Sequence, residues 1–199
     1  MTTLKAALAR LMRPAAWTVR VVGVRITALW SFARLNEALG GHLHHSSVVL
    51  GTVTLEGTRR IKLGRNARIY PGVYLETQGH GQIDIGDNVV LSSGVHIVAF
   101  EHVSIGDGAM LGEYTSVRDS NHRASAVSMR ESGFDSAPIR IDANVWIGRG
   151  VTVLKGVQIG SHSVIGANAV VTQSVPEKSR AIGVPARAQP WPLTARSVV

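Results

Sequence analysis

The sequence predicts an all-β chain built as a parallel β-helix of hexapeptide repeats, with five to six coils, an N-terminal helical cap and one protruding loop. Two observations carry that expectation. From Ile141 an aliphatic residue recurs at every sixth position, through Ile147, Val153, Ile159, Ile165 and Val171. Four residues after each stands a small or β-branched one: Val145, Val151, Val157, Ser163, Ala169 and Val175. A period of six is not the 3.6 of a helix, and short aliphatic segments punctuated by Gly, Asn and Ser read as short strands joined by turns. Repeats of this length stack, three hexads to a coil, because one coil cannot bury its own apolar face.

The pattern continues upstream in triples: Leu63, Ile69, Leu75; Ile85, Leu91, Ile97; Ile105, Leu111, Val117; then Ile141, Ile147, Val153 and Ile159, Ile165, Val171. Steps within a triple are six, whereas those between triples are ten, eight, twenty-four and six. Every insertion therefore leaves the prism at the same corner. The largest opens with RDSNHRAS at 118–125. Val49 and Leu55 suggest a partial first coil. At a strand spacing of about 4.8 Å the stack should be roughly 25–30 Å long, with both ends needing caps.

Residues 1–48 can supply one cap. TTLKAALARLM reads as a helix that begins at a Thr and stops at Pro14, and the apolar stretch behind it has a β-branched middle that weakens its helix propensity. The organisation expected is a cap over 1–48, a β-helix over 49–176 with a loop over 118–140, and a tail over 177–199. Of the formal charge of +8, Lys5, Arg10, Arg13, Arg20, Arg25 and Arg34 against Glu37 place +5 in residues 1–40. Such a leader can pack with a solvated basic face or lie peripherally on an anionic membrane surface. Nucleic acid is disfavoured by 5% aromatic content and the lack of a binding motif. With no cysteine, disulfides, thiolate metal sites and cysteine catalysis are excluded. No apolar run reaches the length of a membrane span and no cleaved signal is read, so a cytoplasmic location is expected, with the inner face of the membrane as its possible edge.

The segments VWIGRGVTVLKGVQIGSHSVIGANAVVTQSVP and IGVPAR resemble those of the hexapeptide-repeat acyltransferases, the family of galactoside, maltose, nodulation-factor, streptogramin and polysaccharide O-acetyltransferases; the similarity covers about residues 60–188. It implies a left-handed β-helix, although the general preference for right-handed crossovers points the other way. It further implies a homotrimer with acetyl-CoA in a groove between subunits, no metal, and a sugar or glycan acceptor. In the family a loop carries a catalytic histidine to the neighbouring subunit. His122, 16 residues before Pro138, matches that interval.

Imidazole, with an ordinary pKa near 6.5, suits removal of a hydroxyl proton as the hydroxyl attacks a thioester. By resemblance the backbone N–H of Arg149 is the oxyanion donor. Trp146 would flank the acceptor or the pantetheine arm, and Gly148, Gly166 and Ala167 would line the cofactor. Arg187, Lys178 and Arg180 are candidates for the CoA phosphates. Asp119 either orients His122 or bonds its own backbone.

Some residues depart from the galactoside enzymes. An acceptor-holding asparagine is replaced in LSSGVHI, where Ser92 is the candidate acceptor contact beside Gly94. The N-terminal domain that supplies an aspartate is not recognisable, and a lysine of the last coil is Gln173. MRESGFDSAPI is instead similar to acyltransferases of cell-surface polysaccharide clusters, so a glycan or its lipid-linked precursor is the expected acceptor. Three alternatives compete: a streptogramin-type xenobiotic acetyltransferase, a γ-class carbonic anhydrase with zinc on His96, His102 and His122, and a non-catalytic trimeric scaffold.

Overall fold

A computed structural model of the chain describes residues 2–124, 128 and 131–191. Of the loop resemblance, Met129 and Arg130 lie outside the described residues, as do Ser125 of the RDSNHRAS segment and residues 192–199 of the expected tail.

From residue 48 onward the chain winds through about six coils. Short parallel strands, one per coil, stack into three flat faces. The first face runs Val48–Val49, Arg68–Ile69, Val90–Leu91, Met110–Leu111, Trp146–Ile147, Val164–Ile165 and Ser179–Gly183, and closes with the antiparallel strand Ala186–Pro190. The second face is Val53–Gly57, Val73–Thr77, His96–Ala99, Ser116–Arg118, Thr152–Val153 and Val170–Val171. The third is Ile61–Leu63, Gln82–Ile85, His102–Ile105, Ile139–Ile141 and Gln158–Ile159. Equivalent hexad residues are in register, so Leu91, Leu111, Ile147 and Ile165 lie in one file.

These files are the core. Ile69, Leu75, Leu91, Ile97, Leu111, Ile147, Ile159 and Ile165 are fully buried. Side chains alternate in and out along each short strand, so the outward neighbours are left to make the surface. The insertions found in the sequence all fall between the second face and the third, and the 24-residue step becomes a hairpin of Ser120–His122 against Phe134–Ser136.

One helix, α1 (Thr2–Ala38), precedes the coils. It does not stop at Pro14, as the sequence suggested, but runs through it. Proline removes one N–H from the helical ladder and frees the carbonyl four residues back. Here that carbonyl is at Arg10, which is exposed, so water can satisfy it, and the Thr18 hydroxyl donates to the Pro14 carbonyl at 3.0 Å. Only the last turns of α1 touch the coils: Leu35 is buried in the core, with Phe32, Ala38 and Leu39 packed against it. Leu43 completes this cover.

Candidate active site

The corners of the prism treat their backbone donors differently. Between the third face and the first, Arg65 and Asp87 give their N–H groups to the carboxylates of Asp87 and Asp107, at 2.6 and 2.8 Å. Between the first face and the second, the outer two residues of each turn bond to adjacent coils: Gly148 N–H to the Ile165 carbonyl and Gly150 N–H to that of Glu113, both at 2.8 Å. The residue between them accepts at its carbonyl, but its N–H is left over. The N–H groups of Ser93, Glu113, Arg149 and Ala167 have no acceptor among the described residues, and Pro71, which has no N–H, takes the same place one coil earlier. This corner thus carries a row of open donors, one per coil, about 4.8 Å apart.

Most of the residues assigned to cofactor or acceptor meet along this row. Ser92, Gly148, Arg149, Gly166 and Ala167 are its turn residues. A Cβ on Gly148 would sit 2.7 Å from the Ala167 nitrogen, so coil stacking alone already requires glycine there. Trp146 precedes the turn on the first face, 54% exposed, between Met110 and Val164. Arg187 pairs with Ile182, whose side chain would meet a Cβ on Gly166 at 2.7 Å, and so extends the row at its far end.

Two cations sit differently. Arg180 continues the Trp146 file through Val164, but its guanidinium lies 4.6 Å from the centre of the Trp191 ring. Lys178 does not reach this corner. It turns the chain between the third face and the first, at φ 52°, with its ammonium 3.8 Å from Glu177. A corner position is set by the count of residues within the coil, and that count places Lys178 at a different corner from the other cofactor candidates.

His122 belongs to the next corner, between the second face and the third. It is exposed on the hairpin, its ring 4.4 Å from that of Phe134, which in turn stands 4.3 Å from Phe100. No hydrogen bond engages its imidazole among the described residues. Lys155 donates to Asp135 at 2.7 Å and fixes the second strand of the hairpin to the next coil.

Asp119 does not orient His122. It is fully buried, and its carboxylate accepts the N–H groups of Phe100, Glu101 and His102 at 2.8, 2.8 and 2.9 Å. The insertion in the preceding coil exposes those three donors in a row, and a carboxylate one coil on is the nearest group able to satisfy them. Asp119 is the anchor from which the hairpin departs.

Two features escaped the sequence reading. Tyr114 stands in the left-handed region at φ 58°, where neighbouring coils have Gly94 and Gly150. It is 62% exposed, with the Arg149 guanidinium 5.4 Å from its ring centre. A bulky residue rarely adopts this conformation. Tyrosine at the glycine position of GEYT was the available signal.

The second feature lies on the second face. His96 stacks on Tyr74, centroids 4.4 Å apart and planes 2° from parallel. The Tyr74 hydroxyl and the Gln78 amide both donate to Glu76, at 2.9 and 2.8 Å. Burial, with Arg118 nearby, holds His96 below the usual histidine range. The three zinc candidates do not converge within the chain: His102 pairs with Asp84 at 2.9 Å on the third face, His96 faces Tyr74, and His122 is on the hairpin.

The stacked hexads define a class of repeat protein, and the family description "Bacterial transferase hexapeptide (six repeats)" matches residues 138–173. A putative lipopolysaccharide biosynthesis O-acetyl transferase WbbJ of Escherichia coli is 35% identical over 136 residues, covering 64% of this chain and 69% of that one. Galactoside O-acetyltransferase of the same organism is 35% identical over 125 residues, and this chain spans 61% of its length, just under two thirds. A hexapeptide-repeat acetyltransferase of Vibrio cholerae, solved with acetyl coenzyme A, superposes with a TM-score of 0.55 at 25% identity, over 92% of this chain and 87% of that one. AntD, an N-acyltransferase of Bacillus cereus, shares the left-handed β-helix with a TM-score of 0.67 at 16% identity, over 75% and 81% of the two chains. The chain belongs to the hexapeptide-repeat acyltransferase family.

Proposed function

We propose that the protein is an acetyl-CoA-dependent O-acetyltransferase acting on a sugar hydroxyl of a cell-surface polysaccharide or its precursor. The observation that carries the reading is the separation of its two half-sites. The open donors of Arg149 and Ala167 lie at one corner and His122 at the next, a face apart, and a hexad of extended chain covers roughly 16–20 Å. One chain alone does not bring the base to the donors. Parallel prisms in a symmetric trimer would set the hairpin corner of one subunit against the donor corner of its neighbour.

The pantetheine arm would lie along the donor row beside Trp146, with Arg187 at the phosphate end. The acceptor oxygen attacks the thioester carbonyl carbon as its proton passes to His122. The resulting oxyanion accepts from the Arg149 N–H. Collapse breaks the carbon–sulfur bond, and the CoA thiolate recovers the proton from the imidazolium. The relative named for lipopolysaccharide biosynthesis supports a glycan acceptor.

Two experiments test this. Calorimetric titration with acetyl-CoA should show saturable binding that survives His122→Ala, while thiol release in the presence of oligosaccharide acceptors should not survive it. No binding at millimolar acetyl-CoA would overturn the reading. The second is complementation. Glu113→Gly with Arg149→Pro recreates the Gly51–Pro71 stack of the first coils and deletes the donor, at an expected loss of about 10²–10³ in rate. Co-assembled at random with His122→Ala, itself inactive, it should recover about a quarter of the sites if each site draws on two subunits. No recovery would place the whole site within one chain.

A further inference from the structure

We propose that α1 is a membrane-surface helix, lying in the headgroup region of an anionic bilayer. The inference is independent of the acyl-transfer reading. At 1.5 Å per residue the 37 residues of α1 make a rod of about 55 Å, of which the end from Phe32 onward packs on the coils while Thr27, Trp30 and Ser31 line a cleft beside Gly51, Thr52 and Leu55. The helix carries exposed apolar side chains in unusual number: Leu8, Leu11, Met12, Trp17, Val19, Val22, Val24, Ile26, Leu29 and Trp30 are between 48% and 79% accessible.

At 100° per residue, Leu8, Leu11, Met12, Val19, Val22, Ile26, Leu29 and Trp30 fall within one sector of about 100°. Arg10, Arg13, Arg25 and Arg34 fall outside that sector, all exposed. No acidic residue precedes Glu37. The hydroxyls of Thr18 and Thr27 donate back to the Pro14 and Gly23 carbonyls, at 3.0 and 2.8 Å, so neither brings an unsatisfied donor to the apolar side.

Charge decides which surface covers this stripe. The spacing Leu8, Met12, Ala15, Val19, Val22, Ile26, Leu29, Ala33 alternates four and three, and would also serve a coiled coil between copies. Copies packed that way, however, would gather arginines with no acid to offset them. An anionic lipid surface offsets the arginines, and headgroups accommodate tryptophan. Among the described residues no helix is long and apolar enough to cross a membrane, so the contact is a lateral one.

The test is flotation of the protein with phosphatidylcholine vesicles, with and without about 30% phosphatidylglycerol, alongside sedimentation analysis without lipid. Binding should require the anionic lipid, weaken as salt is raised from about 0.1 to 0.5 M, and fall about tenfold or more in Val22→Glu/Ile26→Glu and in Arg10→Gln/Arg13→Gln/Arg25→Gln. The coil unfolding transition of both variants should match that of the parent, because those side chains touch no coil. Absence of binding to anionic vesicles at low salt would overturn the proposal, as would equal binding to neutral ones. So would a Val22→Glu/Ile26→Glu protein that floats normally but loses a self-associated state seen in the parent.

Discussion

The two corners of the second face are built from the same hexads yet offer opposite kinds of chemistry. The corner toward the first face keeps the strict repeat through all coils and presents main-chain N–H groups, with side chains as accessories. The corner toward the third face accepts every insertion and presents a side chain, His122, on a hairpin rooted by Asp119. A regular corner is suited to hold an extended ligand because its donors recur at fixed spacing. An irregular corner is suited to project a single reactive group. The difference teaches that stacking leaves the interior unchanged while each corner is free to specialise.

The largest effect that would sharpen this comparison is on rate. His122→Ala should lower turnover by about 10²–10⁴ and leave the thermal midpoint nearly unmoved, since the exposed ring makes no hydrogen bond among the described residues and only one ring contact, with Phe134. A shifted midpoint would mean the hairpin is part of the stacking instead. Next is Asp119→Ala, which leaves three part-buried N–H groups without their acceptor and should destabilise the chain by about 2–3 kcal/mol in urea unfolding. Retention of full stability there would break the claim that the irregular corner is anchored by this carboxylate.

A smaller change is expected at the regular corner. Tyr114→Gly removes a bulky residue from φ 58° and should raise stability by about 0.5–1 kcal/mol while weakening acetyl-CoA or acceptor binding, read as a raised KM. Unchanged binding would make Tyr114 a mere packing residue. The smallest effect lies between the corners. His96 is held below its ordinary 6.5 in the fold, so as pH falls below that value the unfolded chain takes up the proton first and stability declines toward the lower folded value. His96→Asn should flatten that slope in unfolding curves recorded between pH 7 and 5.

The period, the number of coils and the corner bearing the insertions were legible in the sequence, because each inward residue such as Ile147 or Ile165 is demanded by its own coil and leaves its own mark. Ser92, Trp146, Arg149 and Ala167 were assigned by resemblance, and their common corner follows from counting residues within a coil; the same count puts Lys178 at a different corner. The role of Asp119 was not legible, since its partners are main-chain groups 17 to 19 residues away and main chain has no letter in a sequence. Pro14 misled because the rule that proline ends helices assumes a freed carbonyl without water, and on α1 that carbonyl meets solvent.

The stack also fixes distances in whole steps. Four coil spacings on the first face separate Val48–Val49, beside the end of α1, from Trp146–Ile147, a rise of roughly 19 Å. Inserting or deleting one eighteen-residue coil between them would move the site by one graduation of about 4.8 Å while every turn, core file and donor kept its geometry. The height of the chemistry above whatever α1 rests on is therefore set by an integer, the number of coils, and can be altered without redesigning either end.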